Sequence, residues 1–502
     1  VTTLPRPQHP PRTPTAELAA LLGVPAPTTE AVVTGVTLSS QRVQAGDLYA
    51  ALPGARVHGI DFAAAAVEAG AVGVLTDPTG AGRAPAGVPL LVVDEPRRVL
   101  GRVSALVYGH PAERLRTIGV TGTQGKTTTS RLAEGGLAAA GVRVGVIGTL
   151  GTRIDGTDVR TALTTPEAPD LHALFALMLE RGVEACVMEV SSHALVLGRV
   201  DGVVFDVAVF LNLGRDHLDF HETVEDYYAA KASLFTPERS RRAVVNVDDA
   251  FGRRLAGETT LPVVALSTGG RVARWRAADV RAEPGRSSFR VEGPDGLAIA
   301  AGVPLAGDYN VANALAAVAA CGEAGFDPAA VAAGIAALPG VPGRLERVDA
   351  GQDFEVVVDY AHKPDAVEAA IRTLRPLTGG QVIVVLGAGG DRDPGKRPIM
   401  AEIAGRLADV LVVTDDNPRT EDPAAIRAAM LGGTTEATAE VVEVGDRRAA
   451  IAEALRRART GDIVLVAGKG HETGQEVRGV VHPFDDRAVV RDLLRDLLSD
   501  PT

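Results

Sequence analysis

The sequence predicts an α/β protein of three domains: a small N-terminal α/β domain over 1–109, a central parallel-sheet domain of the P-loop type over 110–341, and a doubly wound, Rossmann-like domain over 342–502. Three observations carry this expectation. Residues 117–130, TIGVTGTQGKTTTS, run from a β-branched strand through a glycine turn into a helix. Beyond residue 343 the apolar runs FEVVVDY, QVIVVLGAGG, ADVLVVTDD, AEVVEV and DIVLVAGKG alternate with helical stretches. Two Gly/Pro punctuations, YGHP at 108–111 and LPGVPG at 338–343, separate the blocks.

Composition narrows the function. A net charge of −12 argues against bulk binding to nucleic acid or an anionic membrane, so anionic substrates need local basic sites. Cys186 and Cys321 lie in apolar runs, as buried thiols of a reducing compartment do. The Pro-rich start lacks the apolar core of a signal peptide and reads, over 1–15, as a mobile tail. No apolar run reaches the roughly 18 residues that would suggest a membrane span. A cytoplasmic monomer is expected.

In the first domain, short β-like runs (AVVTGVTL, GDLYAAL, AVGVLTD, PLLVVD) surround a helix over 62–69, and a second helix over 96–108 closes the unit. In the central domain, residues 117–130 have the order of a phosphate cradle. Backbone N–H groups and the positive end of the helix dipole face an anion there. Gly122 and Gly125 let the main chain approach it, Lys126 reaches the outer phosphates, and the Thr127 hydroxyl suits Mg²⁺. Val120 stands where the first glycine of G-x-x-x-x-G-K-[ST] belongs. Thr123, Gln124 and Thr128 complete the loop.

Glu189 closes the apolar strand 183–190, where a Mg²⁺ ligand belongs downstream of a phosphate loop. Taken singly it also fits a solvated strand end. Strand 205–213 leads to Asn212 and to Asp216-His217-Leu218-Asp219, a second acidic and histidine cluster. Lys231 stands among apolar and small residues of a helix, placed either to snorkel or to reach the site. Asn310 and Asn313, three apart, share a helix face. In the last domain the strand ends carry Asp359, Arg392, 416–419 and 468–472, where ligands of such sheets bind.

Together GTQGKTT, Glu189-Val-Ser-Ser-His193, Asn212…Asp216-His217, Lys231, Gly307-x-x-Asn310-x-x-Asn313, Pro342-Gly-Arg344 and Asp359-Tyr-Ala-His362 resemble the Mur ligases, the ATP-dependent amide-forming enzymes of bacterial cell-wall synthesis. The likeness runs from about residue 36 to 498. GDRDPGKRP at 390–398, DDNPR at 415–419 and GKGHE at 468–472 resemble the branch that adds diaminopimelate. The resemblance implies ATP and Mg²⁺, an acyl phosphate on the D-Glu γ-carboxylate of a UDP-muramoyl dipeptide, and attack by the amino group of diaminopimelate.

It also implies roles. Lys126, Lys231, His217 and Glu189 are the catalytic set, and Thr127, Glu189, His217 and Lys231 the metal set, with Lys231 N-carbamylated. Gly122, Thr123, Gln124, Gly125, Lys126, Thr127, Thr128, Asn310, Arg344 and Asp359 bind ATP. Leu38, Ser40 and the 54–57 turn take the uridine end; Thr164, Thr165, Ser191 and Arg199 take the muramoyl peptide. Arg392, Asp416, Asn417, Pro418, Arg419, Gly468 and Glu472 take the amino acid. Leu197 departs from a glutamine found in some relatives, and the ARV turn at 55–57 from a more polar one. Two other classes stay open: a folylpolyglutamate synthetase-like ligase and a P-loop switch or motor.

Overall fold

The computed structural model describes residues 4–214, 216–217, 220–283 and 285–499. The chain divides into two compact units. The first runs to Arg276 and adds Glu292–Leu297 and Leu315–Gly334; the second takes Ala277–Val291, Ala298–Ala314 and the chain from Ile335 on.

The first unit begins with the small α/β domain. Strands β1 (Gly35–Thr37), β2 (Asp47–Ala50), β3 (Gly73–Thr76) and β4 (Leu90–Val92) form a parallel sheet in that order. Helix α1 (Pro96–Val107) starts with proline at its first position, where no N–H is needed. Its Leu100, Val103 and Val107 recur at helical spacing and pack with Leu48, Leu75 and Leu91.

The tail expected over 1–15 is held from Arg6 onward. Arg6 pairs with the buried carboxylate of Asp47, and the Gln8 and His9 amides donate to Glu180 at 2.8 and 2.7 Å. Thr13–Pro14 pairs with Val32–Val33. A proline-rich segment has few hydrogen bonds of its own, so it read as disordered; one arginine and an extended backbone suffice to dock it. Val1–Thr3 lie outside the described residues.

The central sheet is built from β5 (Arg116–Thr121), β6 (Val144–Gly148), β7 (Gly151–Ile154), β8 (Thr157–Val159), β9 (Ala185–Glu189), β10 (Val207–Phe210), β11 (Ala243–Asn246) and β12 (Val263–Ser267). Their order is β8-β7-β6-β9-β5-β10-β11-β12. From β6 to β12 across the sheet the strands are parallel; β7 and β8 add an antiparallel hairpin that the sequence did not suggest. Most β5, β6, β9 and β10 residues are buried, as strands covered on both faces must be. Helices α2 (Lys126–Ala139), α3 (Ala168–Glu180), α4 (Ser192–Val196) and α5 (Val224–Ala232) follow the strands. Because β5 lies between β9 and β10, the phosphate loop, Glu189 and Asn212 emerge at neighbouring strand ends.

The second unit contains β13 (Glu355–Asp359), β14 (Val382–Ala388), β15 (Val410–Asp415), β16 (Glu440–Glu443) and β17 (Ile463–Ala467), parallel and ordered β13-β17-β14-β15-β16. Helices α6 (Pro364–Leu374), α7 (Lys396–Leu407), α8 (Pro423–Leu431), α9 (Arg447–Arg457) and α10 (Asp486–Ser499) accompany the sheet. The ends of β13, β17, β14 and β15 are therefore adjacent. A hairpin of Gly474–Val477 with Val480–Pro483 was not foreseen.

Candidate active site

Gly125, at φ +87°, caps α2 in a left-handed conformation that suits glycine. The turn it makes puts Lys126 at the helix start with its Nζ donating to the Gly122 and Thr123 carbonyls at 2.7 and 3.1 Å. Lys231, 1% exposed, donates to the same Gly122 oxygen at 2.9 Å and lies 4.6 Å from the Tyr227 ring centre. Two cationic side chains thus converge on one loop carbonyl. Asn212 clamps the loop from β10's end: its Oδ1 accepts from the Gln124 amide at 2.9 Å and its Nδ2 donates to the Gln124 carbonyl at 3.2 Å. The Thr123 hydroxyl lies 3.1 Å from the Tyr227 hydroxyl and accepts from the Gly214 amide at 3.0 Å. Thr127 and Thr128 are buried, and Thr121 Oγ1 is buried without a hydrogen-bond partner among the described residues.

On the other side of β5, the Glu189 carboxylate accepts from the Thr149 amide at 2.8 Å and its hydroxyl at 3.0 Å. A Cβ on Gly148 would come within 2.3 Å of Glu189 Oε1, so glycine makes room for this acid. The Thr165 hydroxyl donates to the Glu189 carbonyl at 2.9 Å and accepts from the Ser191 amide at 3.2 Å; Thr164 meets Thr149 at 3.2 Å. Arg199 donates through Nε to Glu167 at 2.8 Å and through its terminal nitrogen to the Thr165 carbonyl at 3.4 Å. Glu167 also pairs with Arg97 of α1 at 3.1 Å, so one carboxylate spans the first and central domains. Thr164, Thr165, Ser191 and Arg199 form one hydroxyl-and-guanidinium patch beside Glu189.

His217, at φ +53°, lies 3.1 Å from Asp216, with its ring 4.9 Å from His193 and 6.0 Å from Tyr227. Leu218 and Asp219 lie outside the described residues. No group of three or more His, Cys, Asp or Glu side chains is gathered as a metal cage among the described residues. Leu38 and Ser40 are half-buried after β1, and the 54–57 turn is exposed.

In the second unit, Asn310 is buried in the helix Asp308–Glu323, its amide donating to the Ala306 carbonyl at 2.8 Å. The Asp359 carboxylate accepts from the Leu345 and Ala361 amides at 2.7 and 2.8 Å. Burial holds this carboxyl above its usual range, against the opposing pull of Arg344. Arg344 stacks 4.5 Å from the Tyr360 ring centre, with a buried Nε that has no hydrogen-bond partner among the described residues. Burial pushes His362 down to about 3, so it is neutral.

The loops after β14, β15 and β17 carry the residues expected to take the amino acid. Arg419, at φ +52°, donates to the Gly390 carbonyl at 2.6 Å and lies 3.5 Å from Glu476. A Cβ on Gly390 would strike the Pro418 carbonyl at 2.0 Å. Asn417 donates to Glu472 at 2.8 Å. Asp416 is buried, its carbonyl accepting from Gln475 at 2.7 Å, and Gly468, at φ +120°, passes beside its carboxylate. Arg392 is exposed beyond β14 and makes no side-chain contact with the rest of this group among the described residues. Sequence reasoning missed Lys469, whose Nζ faces Asn417, Asp416 and Glu472, and the Arg447–Asp486 pair that donates to the Ala467 carbonyl. A lysine between two glycines after a buried strand was the available signal.

Residues 32–108, 120–321 and 343–470 match the profiles "Mur ligase family, catalytic domain", "Mur ligase middle domain" and "Mur ligase, glutamate ligase domain". The chain is 57% identical over 498 residues to the UDP-N-acetylmuramoyl-L-alanyl-D-glutamate--2,6-diaminopimelate ligase of Streptomyces avermitilis, covering 98% of each. It is 58% identical over 497 residues to the like-named ligase of Streptomyces coelicolor, again covering 98% of each. A solved structure of a ligase with that name superposes with a TM-score of 0.67 at 35% identity, covering 93% of this chain and 96% of that one. The Mycobacterium tuberculosis folylpolyglutamate synthase, at 20% identity and a TM-score of 0.59 over 80% of this chain and 95% of that one, shares the fold. Matched along most of its length by three Mur ligase profiles and by relatives more than half identical to it, the chain belongs to the Mur ligase family.

Proposed function

We propose that this chain uses ATP to join the amino group of 2,6-diaminopimelate to the D-Glu γ-carboxylate of UDP-N-acetylmuramoyl-L-alanyl-D-glutamate, in peptidoglycan precursor synthesis. The observation that carries the reading is the meeting of Lys126 and Lys231 on the Gly122 carbonyl, one strand away from Glu189 and the Thr164–Thr165–Ser191–Arg199 patch.

A carboxylate is a poor electrophile and must be activated. Transfer of the γ-phosphoryl group makes an acyl phosphate; the amine attacks, and phosphate leaves. The chain's part is positioning and charge neutralisation. Lys126 exchanges the loop carbonyls for phosphate oxygens, and the loop N–H groups hold the rest. Thr164, Thr165, Ser191 and Arg199 seat the muramoyl peptide. Asn310 and Asp359 hold the adenosine part, Arg344 a phosphate, and Arg392, Arg419 and Glu472 the charged ends of diaminopimelate.

Thr127 and Glu189 would hold Mg²⁺ through hard oxygen donors, and the ion would supply charge neutralisation on the phosphates. His217 and an ammonium on Lys231 do not make a second magnesium site. Addition of the neutral Lys231 amine to CO₂, with loss of a proton, gives an N6-carboxylysine whose oxygens do.

The test offers amino acids one at a time with ATP and the UDP-muramoyl dipeptide, and follows ADP release. Turnover is expected only with both substrates present and with diaminopimelate preferred. ADP release independent of the amino acid returns the chain to the switch or motor class.

A further inference from the structure

Lys469 is 0% exposed, and its Nζ lies 2.9 Å from Asn417 Oδ1 and 3.4 Å from both Asp416 Oδ1 and Glu472 Oε2. Asn417 Oδ1 also accepts from the Glu476 amide at 3.0 Å, while its Nδ2 donates to Glu472 at 2.8 Å. The amide therefore has one orientation: its oxygen toward Lys469, its nitrogen toward Glu472. The Glu472 carboxylate receives both the amide and the ammonium, yet remains about a third exposed, with a face left for solvent or a ligand. Burying an ammonium costs heavily unless carboxylates and acceptors surround it. Besides Glu472, the buried Asp416 carboxylate is the other anion this ammonium faces. Arg447, the neighbouring buried cation, already has Asp486 as its bidentate partner at 2.8 and 2.7 Å.

We infer that Lys469 is a positioning residue for amino-acid selection: from behind the loops it fixes Asn417 and orients Glu472 toward the substrate's distal ammonium, touching no substrate itself. This rests on the diaminopimelate reading of the 415–419 and 468–472 loops. Loss of the lysine frees the Asn417 amide to flip and leaves two carboxylates facing each other. The amino-acid site then loosens while the nucleotide and UDP-substrate contacts stay.

The experiment measures KM for all three substrates, and kcat, in Lys469→Met, Glu472→Gln and the charge-balanced double variant. Lys469→Met is expected to raise the amino-acid KM by about 10–100-fold, as loss of outer-shell support does, with the other two KM values within about twofold. The double variant should fall short of the product of the two single effects, because the lysine acts in part through that carboxylate. Effects that multiply in the double variant, or an amino-acid KM unmoved in folded Lys469→Met, overturn the inference. If Lys469→Met does not fold, the double variant carries the comparison with Glu472→Gln. A double variant that also fails to fold assigns the lysine to the fold and overturns the inference as well. An amino-acid KM unmoved by Glu472→Gln refutes the site reading itself, a separate result.

Discussion

At the phosphate loop, Lys126 and Lys231 both donate to the Gly122 carbonyl, and Asn212 grips the Gln124 peptide from both sides. At the 415–419 loop, Lys469, Asn417 and Glu472 hold one another through their side chains. The first site is built largely on main chain, the second on side chains. A main-chain cradle accepts any polyphosphate and tolerates change in the residues around it. In a side-chain network each group offsets part of another's desolvation, so removing one weakens the rest. The two kinds of site should therefore respond differently to substitution.

The contrast is testable, and the largest effect is expected at Lys231. Lys231→Ala should reduce turnover to background with the far-ultraviolet circular dichroism unchanged, and a small carboxylate in the buffer should restore part of the rate. Wild-type protein exchanged with ¹³C-bicarbonate should show a carbamate carbon signal that the variant lacks. A fully active alanine variant would remove Lys231 from the site.

Next comes Lys126→Ala. Loss of a cation poised on the transferring phosphoryl group should lower kcat by about 10³-fold. The amino-acid KM should not move, because the main-chain cradle stays. Single-turnover measurements at saturating ATP separate this from weaker binding; a purely ATP-KM effect would mean the lysine only binds.

Arg419→Ala addresses the side-chain site. Diaminopimelate carries one more carboxylate than lysine, and without it the half-buried Arg419 guanidinium keeps only the Gly390 carbonyl and Glu476 as partners. The wild type should favour diaminopimelate over lysine by about 10³-fold in kcat/KM, and Arg419→Ala should erase about 10²-fold of that. The Gly390 carbonyl already takes one edge of this guanidinium, so the loss should be smaller than a free fork would give. Equal use of both amino acids by the wild type would break the contrast between the sites.

The sites were unequally legible in the sequence. The phosphate loop could be read because glycine spacing, strand and helix are all local to 117–130. Glu189 followed because parallel strands end on one edge. Asn212 and the Gln124 peptide are 88 residues apart, and Lys469 is 52 from Asn417, so their roles as clamp and wedge depend on strand order, which alternation alone does not fix. The Arg419 fork was legible as chemistry, but its bond to Gly390 comes from a left-handed residue in a turn that no spacing predicts. The docked tail was illegible for the opposite reason: its partners, Asp47 and Glu180, are single charges scattered along the chain.

The smallest expected effects come from a pair of glycines, one in each site. Gly125 sits at φ +87° and Gly468 at φ +120°, so alanine at either position must hold a conformation that costs about 1–2 kcal/mol. Stability should fall similarly in both variants, by a few degrees in the melting temperature of the affected part. Function should separate them. Gly125→Ala tilts the N–H groups at the start of α2, which should raise the ATP KM and leave the amino-acid KM alone. Gly468→Ala brings a Cβ to 3.3 Å from Asp416 Oδ2, so the carboxylate must give way, and the amino-acid KM should rise instead. A crossed result, with Gly468→Ala weakening ATP or Gly125→Ala weakening the amino acid, would show that the two loops do not divide the substrates between main chain and side chain.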